Sequence, residues 1–109
     1  MTQNKILVGI PTYNEAKNIK LIVDQILALN LDIDILIVDD NSSDGTGKIV
    51  DTLSQSNSFI KAVHRKNKMG IGSAHLHIIT YAYDHMYKTL ITMDADFSHT
   101  PKDIVKIYK

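Results

Sequence analysis

The chain has 109 residues, with twelve Lys or Arg against twelve Asp or Glu and a formal net charge of zero. That length admits one small domain, and that balance argues against a nucleic-acid protein driven by phosphate neutralisation. Cysteine is absent, which excludes a disulfide framework and a thiolate metal site, and no apolar run approaches the roughly 18 to 20 residues that span a bilayer.

Met1-Thr2-Gln3-Asn4-Lys5 leads straight into a strand-like segment and lacks a signal peptide's apolar core, so the default expectation is a cytoplasmic location. Lys5 to Ile10 reads as a first strand stopped by Pro11. Asn14 to Leu29 reads as a helix, with Ile19, Ile22, Val23, Ile26 and Leu27 on one face. Thr12 and Glu15 have capping-box spacing at its start. Ile33 to Val38 is a second strand, and Asp39 to Gly47 is a loop of turn formers. Lys48 to Leu53 reads as a short helix, Phe59 to Val63 as a third strand, Ser73 to about Tyr87 as a helix and Leu90 to Met93 as a fourth strand. Pro101 suits the first turn of a last helix with Ile104, Val105 and Tyr108. Strands and helices alternate throughout, which predicts an α/β fold with a mostly parallel sheet flanked by helices. The chain ends soon after that last helix begins, with no glycine cap, and reads as truncated.

Two strand-like runs end in carboxylates: Ile35-Leu36-Ile37-Val38-Asp39-Asp40 and Ile91-Thr92-Met93-Asp94-Ala95-Asp96. Residues i and i+2 of an extended segment point to one side, so Asp94 and Asp96 can face one site. Two such carboxylates repel unless a cation lies between them, and Mg²⁺ or Mn²⁺ takes oxygen ligands of this kind. Ligands of open α/β sheets gather at the carboxyl ends of the strands. Asp39, Asp40, Asp94 and Asp96 are therefore expected at one edge. The alternative for an isolated Asp-x-Asp is a solvated turn.

Other segments carry two readings each. Tyr13 could stack on a flat base and Glu15 could accept from a base or ribose, or the two could be a surface Tyr and a capped helix start. Asp39 to Gly45 could meet a nucleobase or ribose, or be a turn held by Asx and Ser side chains. Asp40, Ser42, Asp44, Gly45 and Asp51 match EF-hand positions, but a strand precedes them and Asp replaces the final Glu. His64-Arg65-Lys66-Asn67-Lys68 before Gly70-Ile71-Gly72-Ser73-Ala74 could hold phosphate, or be a solvated basic turn opening a helix. His75 and His77 point in different directions on a helix and, with His85, read as surface or partly buried side chains; His99 lies near the acidic pair.

In order, Ile10-Pro11-Thr12-Tyr13-Asn14-Glu15, Ile37 to Thr46, Arg65, Lys68, Gly70 to Ala74 and Met93 to Pro101 resemble segments of the family 2 glycosyltransferases of GT-A fold. The likeness is greatest to the dolichol-phosphate mannose synthase branch and extends over nearly the whole chain. It implies that residues 1–109 are the N-terminal, nucleotide-sugar-binding part of such a domain. It further implies transfer of mannose or glucose from a nucleotide sugar, GDP-mannose or UDP-glucose, to a polyprenyl or dolichyl phosphate. Pro11, Tyr13, Glu15 and Asp40 would surround the base and ribose, with Asp39 close by. Asp94 and Asp96 would be the catalytic, metal-binding pair, holding Mg²⁺ or Mn²⁺ on the diphosphate. The metal would neutralise charge on the leaving nucleoside diphosphate, and an anionic lipid phosphate needs little general-base help. The same resemblance implies peripheral contact with a membrane's cytoplasmic face. Ser98 stands where some relatives place a metal-assisting Gln, and His77-Ile78 where a small residue and a glycine are common. Catalytic domains of the family are longer than this chain, so self-association and weak or absent turnover are expected of it alone. A phosphorelay receiver domain is the rival reading, with Asp39-Asp40 as its acidic pair. It leaves the first β-α unit unexplained and gives Asp96 no role.

Overall fold

The computed structural model describes residues 6–66 and 71–95. Among them, β1 (Ile6–Thr12), β2 (Ile33–Asp39), β3 (Ile60–His64) and β4 (Thr89–Thr92) form one sheet in the order β3-β2-β1-β4. All three pairings are parallel. The helices α1 (Ile19–Leu27), α2 (Thr46–Ser56) and α3 (Ile71–Asp84) connect successive strands. The α/β expectation is borne out.

Period-two alternation divides the strand residues between two cores. Val8 and Ile10 of β1 and Ile33, Ile35 and Ile37 of β2 pack with Ile19, Ile22, Val23 and Ile26 of α1 and Val50 and Leu53 of α2. Leu7, Leu36 and Val38 point the other way and pack on Ile78 and Ala82 of α3. Every residue of β2 is buried, as its nearly continuous apolar run foretold. Gly9 lies on the α3 side, where a Cβ would come 2.3 Å from Ile78 Cγ2. Its missing side chain lets α3 approach β1.

The chain passes from β3 at one edge over the sheet to β4 beside β1. Connections therefore run one way from β1 to β3 and reverse between β1 and β4. Crevices for ligands form at such a reversal, outside the carboxyl ends of the strands.

Several boundaries differ from the sequence expectations. Pro11 does not stop β1, which continues to Thr12. Met93 N donates to Gly9 O and Asp40 N to Thr12 O. Alternation then turns Pro11 towards β4, whose pairing with β1 ends at Gly9–Thr92. Its missing N–H removes no ladder bond. Helix α1 begins at Ile19, with Asn18 as N-cap and no side-chain cap. The Thr12–Glu15 capping box does not form. Helix α2 is longer than expected, α3 starts two residues earlier and ends at Asp84, and β3 starts one residue later. The helix expected after Pro101 lies outside the described residues.

At the opposite, amino-terminal end of the sheet, Tyr87 donates its hydroxyl to Asp34 Oδ2 at 2.6 Å. Burial first, then this bond and the Asp34 charge, push the Tyr87 hydroxyl's pKa well up. The protonated phenol is thus favoured by folding, so its contribution is complete below the ordinary tyrosine value and declines as pH rises past it. Tyr87→Phe is expected to cost about 1 kcal/mol at neutral pH. Denaturant midpoints should show the gap to wild type closing in strongly alkaline buffer, and a gap that widens there would contradict the assignment.

Helix α3 ends in a Schellman arrangement: Tyr87 N donates to Ala82 O and Met86 N to Tyr83 O. Met86 has φ +62°, in the left-handed region, and its side chain is exposed. Glycine takes that conformation without the Cβ cost. Met86→Gly should therefore raise stability by about 1 kcal/mol, read as a higher urea midpoint at unchanged slope.

Candidate functional site

The β1–β2 ladder ends with Thr12 opposite Asp39, and the next rung on β2 is Asp39 opposite His64 of β3. Three strand tips thus stop level, and the loops that leave the first two are joined by side chains. Thr12 Oγ1 donates to Asp39 Oδ1 at 2.9 Å. Ser42 donates to the same carboxylate from Oγ (2.6 Å) and from its backbone N (3.2 Å). Asn14 N donates to Ser42 Oγ at 2.8 Å, Glu15 N to Thr46 Oγ1 at 3.0 Å and Ala16 N to Asp44 Oδ2 at 3.1 Å. In return, Ser43 N donates to Asn14 Oδ1 at 2.9 Å. Asn14 and Asn41 both have φ +56° to within a degree, a conformation that Asn adopts more readily than most residues.

Thr12 therefore serves the neighbouring strand instead of capping a helix. The Asx and Ser turn weighed for residues 39–45 forms, and it also grips the first loop. Asp39 is buried with its oxygens engaged by Thr12 and Ser42. It holds the loop.

Asp40 is held differently. Arg65 spans both its oxygens, Nε donating to Oδ1 and Nη2 to Oδ2, the latter at 2.9 Å. Arg65 Nη1 donates to Ser73 Oγ on α3 at 3.0 Å. Arg65 N also donates to Asp39 O at 2.8 Å, extending the β2–β3 ladder. The Arg65 guanidinium was a phosphate candidate by sequence; here it is committed to a carboxylate. The signal available beforehand was an Arg one residue past a strand beside an acidic tip. The Asp40 carboxylate is paired with Arg65 and Asp44 accepts from Thr46, so the EF-hand likeness has no counterpart.

Glu15 carries one buried oxygen, Oε2, with no hydrogen-bond partner among the described residues. A buried acceptor left so costs about 1–3 kcal/mol. Pro11 is the next-to-last residue of β1, and Tyr13, just past the strand, is exposed. Asp94 follows β4 by two residues, at the carboxyl edge beside β1. Asp39, Asp40 and Asp94 thus share one edge. Asp96, with Lys68, Gly70, Ser98 and His99, lies outside the described residues. Among the described residues, no group of three or more His, Asp or Glu could hold a metal ion.

The order β3-β2-β1-β4 defines an open α/β domain with acidic residues at its carboxyl edge, the edge where ligands of such sheets gather. A family model described as glycosyl transferase family 2 matches residues 7–109, and the chain belongs to that family. It is 38% identical over 104 residues to a polyprenol monophosphomannose synthase of Mycolicibacterium smegmatis, covering 94% of this chain and 39% of that protein. An undecaprenyl-phosphate mannosyltransferase of Micrococcus luteus is 34% identical over 103 residues, covering 94% and 42%. The chain therefore spans about two fifths of the length of these curated relatives. Among solved structures, the mannosyltransferase PcManGT from Pyrobaculum calidifontis, in complex with GDP-Man and Mn²⁺, superposes with a TM-score of 0.72 at 24% identity over 88% of this chain and 28% of that one. Staphylococcus aureus TarS 1–349 gives 0.75 at 21% identity over 95% and 31%. At these identities the likeness establishes the fold, which is of the GT-A type expected from the sequence. The receiver-domain reading finds no support.

The Thr46 hydroxyl, foremost, and backbone N–H groups hold the Asp44 carboxyl below its ordinary 3.8. A lowered folded value means stability that is present above the ordinary pKa and lost as pH falls through the folded one. Asp44→Asn should consequently destabilise the chain at pH 7, and the deficit should shrink in acid below about pH 4. Thermal midpoints across that range test it; a deficit constant down to pH 2 would remove the ionised carboxylate from the loop's support.

Proposed function

We propose that this chain supplies the nucleotide-sugar half of a mannosyl- or glucosyltransferase whose acceptor is a polyprenyl or dolichyl phosphate. The observation that carries the reading is a carboxyl edge bearing Asp40 and Asp94 on either side of β1, in a chain of glycosyl transferase family 2. GDP-mannose is favoured over UDP-glucose, because both curated relatives are named for mannose transfer and PcManGT was solved with GDP-Man.

The base and ribose are assigned to Pro11, Tyr13, Glu15 and Asp40, with Asp39 beneath them. Glu15 Oε2 supports this assignment, since a nucleobase N–H or ribose hydroxyl would satisfy a buried acceptor that no described residue satisfies. Tyr13, partly exposed at the same tip, offers a ring for stacking. Asp94 and Asp96 are the proposed ligands of Mg²⁺ or Mn²⁺, an assignment that suits hard oxygen donors shared with phosphates. When bound, that ion would supply electrostatic stabilisation of the leaving nucleoside diphosphate. Asp39 and Thr12 keep the base-side loop in place through their mutual bond.

No described helix is long and apolar enough to cross a membrane. Contact with a lipid-borne acceptor is thus proposed as peripheral, at a cytoplasmic membrane face. Leu76, Ile79, Tyr83 and Met86 are exposed along α3 and beyond its end, and exposed apolar side chains of this kind favour association of copies.

Calorimetry with GDP is the direct test. Binding should require Mn²⁺, vanish with EDTA and fall by at least about tenfold in Asp94→Asn or Asp96→Ala. Affinity indifferent to EDTA would remove the metal from the proposal.

Sugar transfer by the 109-residue chain alone should be negligible, measured with GDP-mannose and a polyprenyl phosphate. Alignment of acceptor and sugar carbon is worth several kcal/mol of barrier, and none of the residues assigned above holds an acceptor. Clear turnover by a monomer would show that these strand tips also build the acceptor site.

A further inference from the structure

The Asp40–Arg65 pair does more than balance a buried charge. Arg65 leaves the end of β3 with its backbone fixed by the bond from its N to Asp39 O. Its guanidinium then meets three acceptor atoms at once: both oxygens of Asp40 after β2 and Ser73 Oγ in the first turn of α3. Both side chains are over nine-tenths buried, at 9% and 7% exposure. A carboxylate at a strand tip is ordinarily free to turn about its last bond. A two-point fork removes that freedom and leaves the unused lone pairs of the two oxygens pointing in one fixed plane. It also renders the acceptor neutral as a pair, which suits an uncharged base lying close to a diphosphate.

We infer that Arg65 is a positioning residue: it sets the plane of the Asp40 carboxylate, and so the alignment of the nucleotide base. The inference rests on the nucleotide-sugar reading above and adds to it a residue that does not itself touch the ligand. Lysine would keep the charge but is a point donor without a fork. Charge balance alone therefore predicts that Arg65→Lys is harmless, and positioning predicts that it is not. Ser73 belongs to the same device, since it holds the third nitrogen of the fork and ties the plane to α3.

The test is calorimetry on the full chain with two Mn²⁺-complexed probes, GDP and base-free inorganic pyrophosphate. Arg65→Lys should weaken GDP by about tenfold and leave pyrophosphate unchanged. A second variant, Ser73→Ala, keeps the charged pair, removes the hydroxyl that ties the guanidinium to α3, and should show a smaller loss of the same selective kind with wild-type circular dichroism. GDP binding by Arg65→Lys equal to wild type would overturn the positioning role while leaving the functional reading intact. Parallel loss of both probes would also overturn it, because that pattern reports a generally disturbed site. Wild-type protein that binds neither probe would sink the functional reading first and this inference with it.

Discussion

Register between β1 and β2 is the constraint on which the site depends. Because Thr12 lies opposite Asp39, a hydroxyl and a carboxylate 27 positions apart in sequence meet at the end of the ladder. A slip of one residue would turn every side chain of β1 to the wrong face. It would break two cores and this bond together. The buried apolar alternation of Val8, Ile10, Leu7 and Gly9 therefore fixes the site as firmly as it fixes the fold.

From that junction the two loops behave as one body. The backbone donors of Asn14, Glu15 and Ala16 lie in the turn that leads from β1 to α1, and turn backbone donors away from a ladder need partners elsewhere. They find them in Ser42, Thr46 and Asp44 of the other loop. Neighbouring aspartates divide the work, as successive residues leaving a strand face different ways. Asp39 turns inward to brace the loop, and Asp40 is fixed by Arg65. Sequence adjacency made them look like a single acidic feature; their partners make them two.

Much of the architecture was legible because its cause is local. Continuous β-branched runs such as Ile33 to Val38 can hardly be anything but buried strands, and the helical spacing of Ile19, Ile22, Val23 and Ile26 marks one covered face. What the sequence hid was long-range. Thr12 and Glu15 have the spacing of a capping box, but strand pairing delivers a carboxylate to Thr12 before a helix can claim it. Pro11 reads as a strand terminator, and only the shorter reach of β4 makes it harmless inside β1. Arg65 looked like part of a basic turn because its partner lies 25 residues earlier, and that separation closes only when β3 pairs with β2. The placement of Asp40 and Asp94 at one edge was legible for the opposite reason. It needs only that both strands be parallel.

Site and core make opposite demands on the same tips, and the carboxyl edge meets both. Burying Asp39 and Asp40 at the strand tips would be prohibitive for bare carboxylates. Removing one partner of a buried ion pair typically costs about 3–5 kcal/mol, so Asp40 is tolerated there only because Arg65 comes with it. The same pairing denies the carboxylate the freedom to turn, because two nitrogens of one guanidinium hold both of its oxygens. Glu15 is the converse case. Its buried oxygen has no partner among the described residues, and a buried acceptor left so costs about 1–3 kcal/mol.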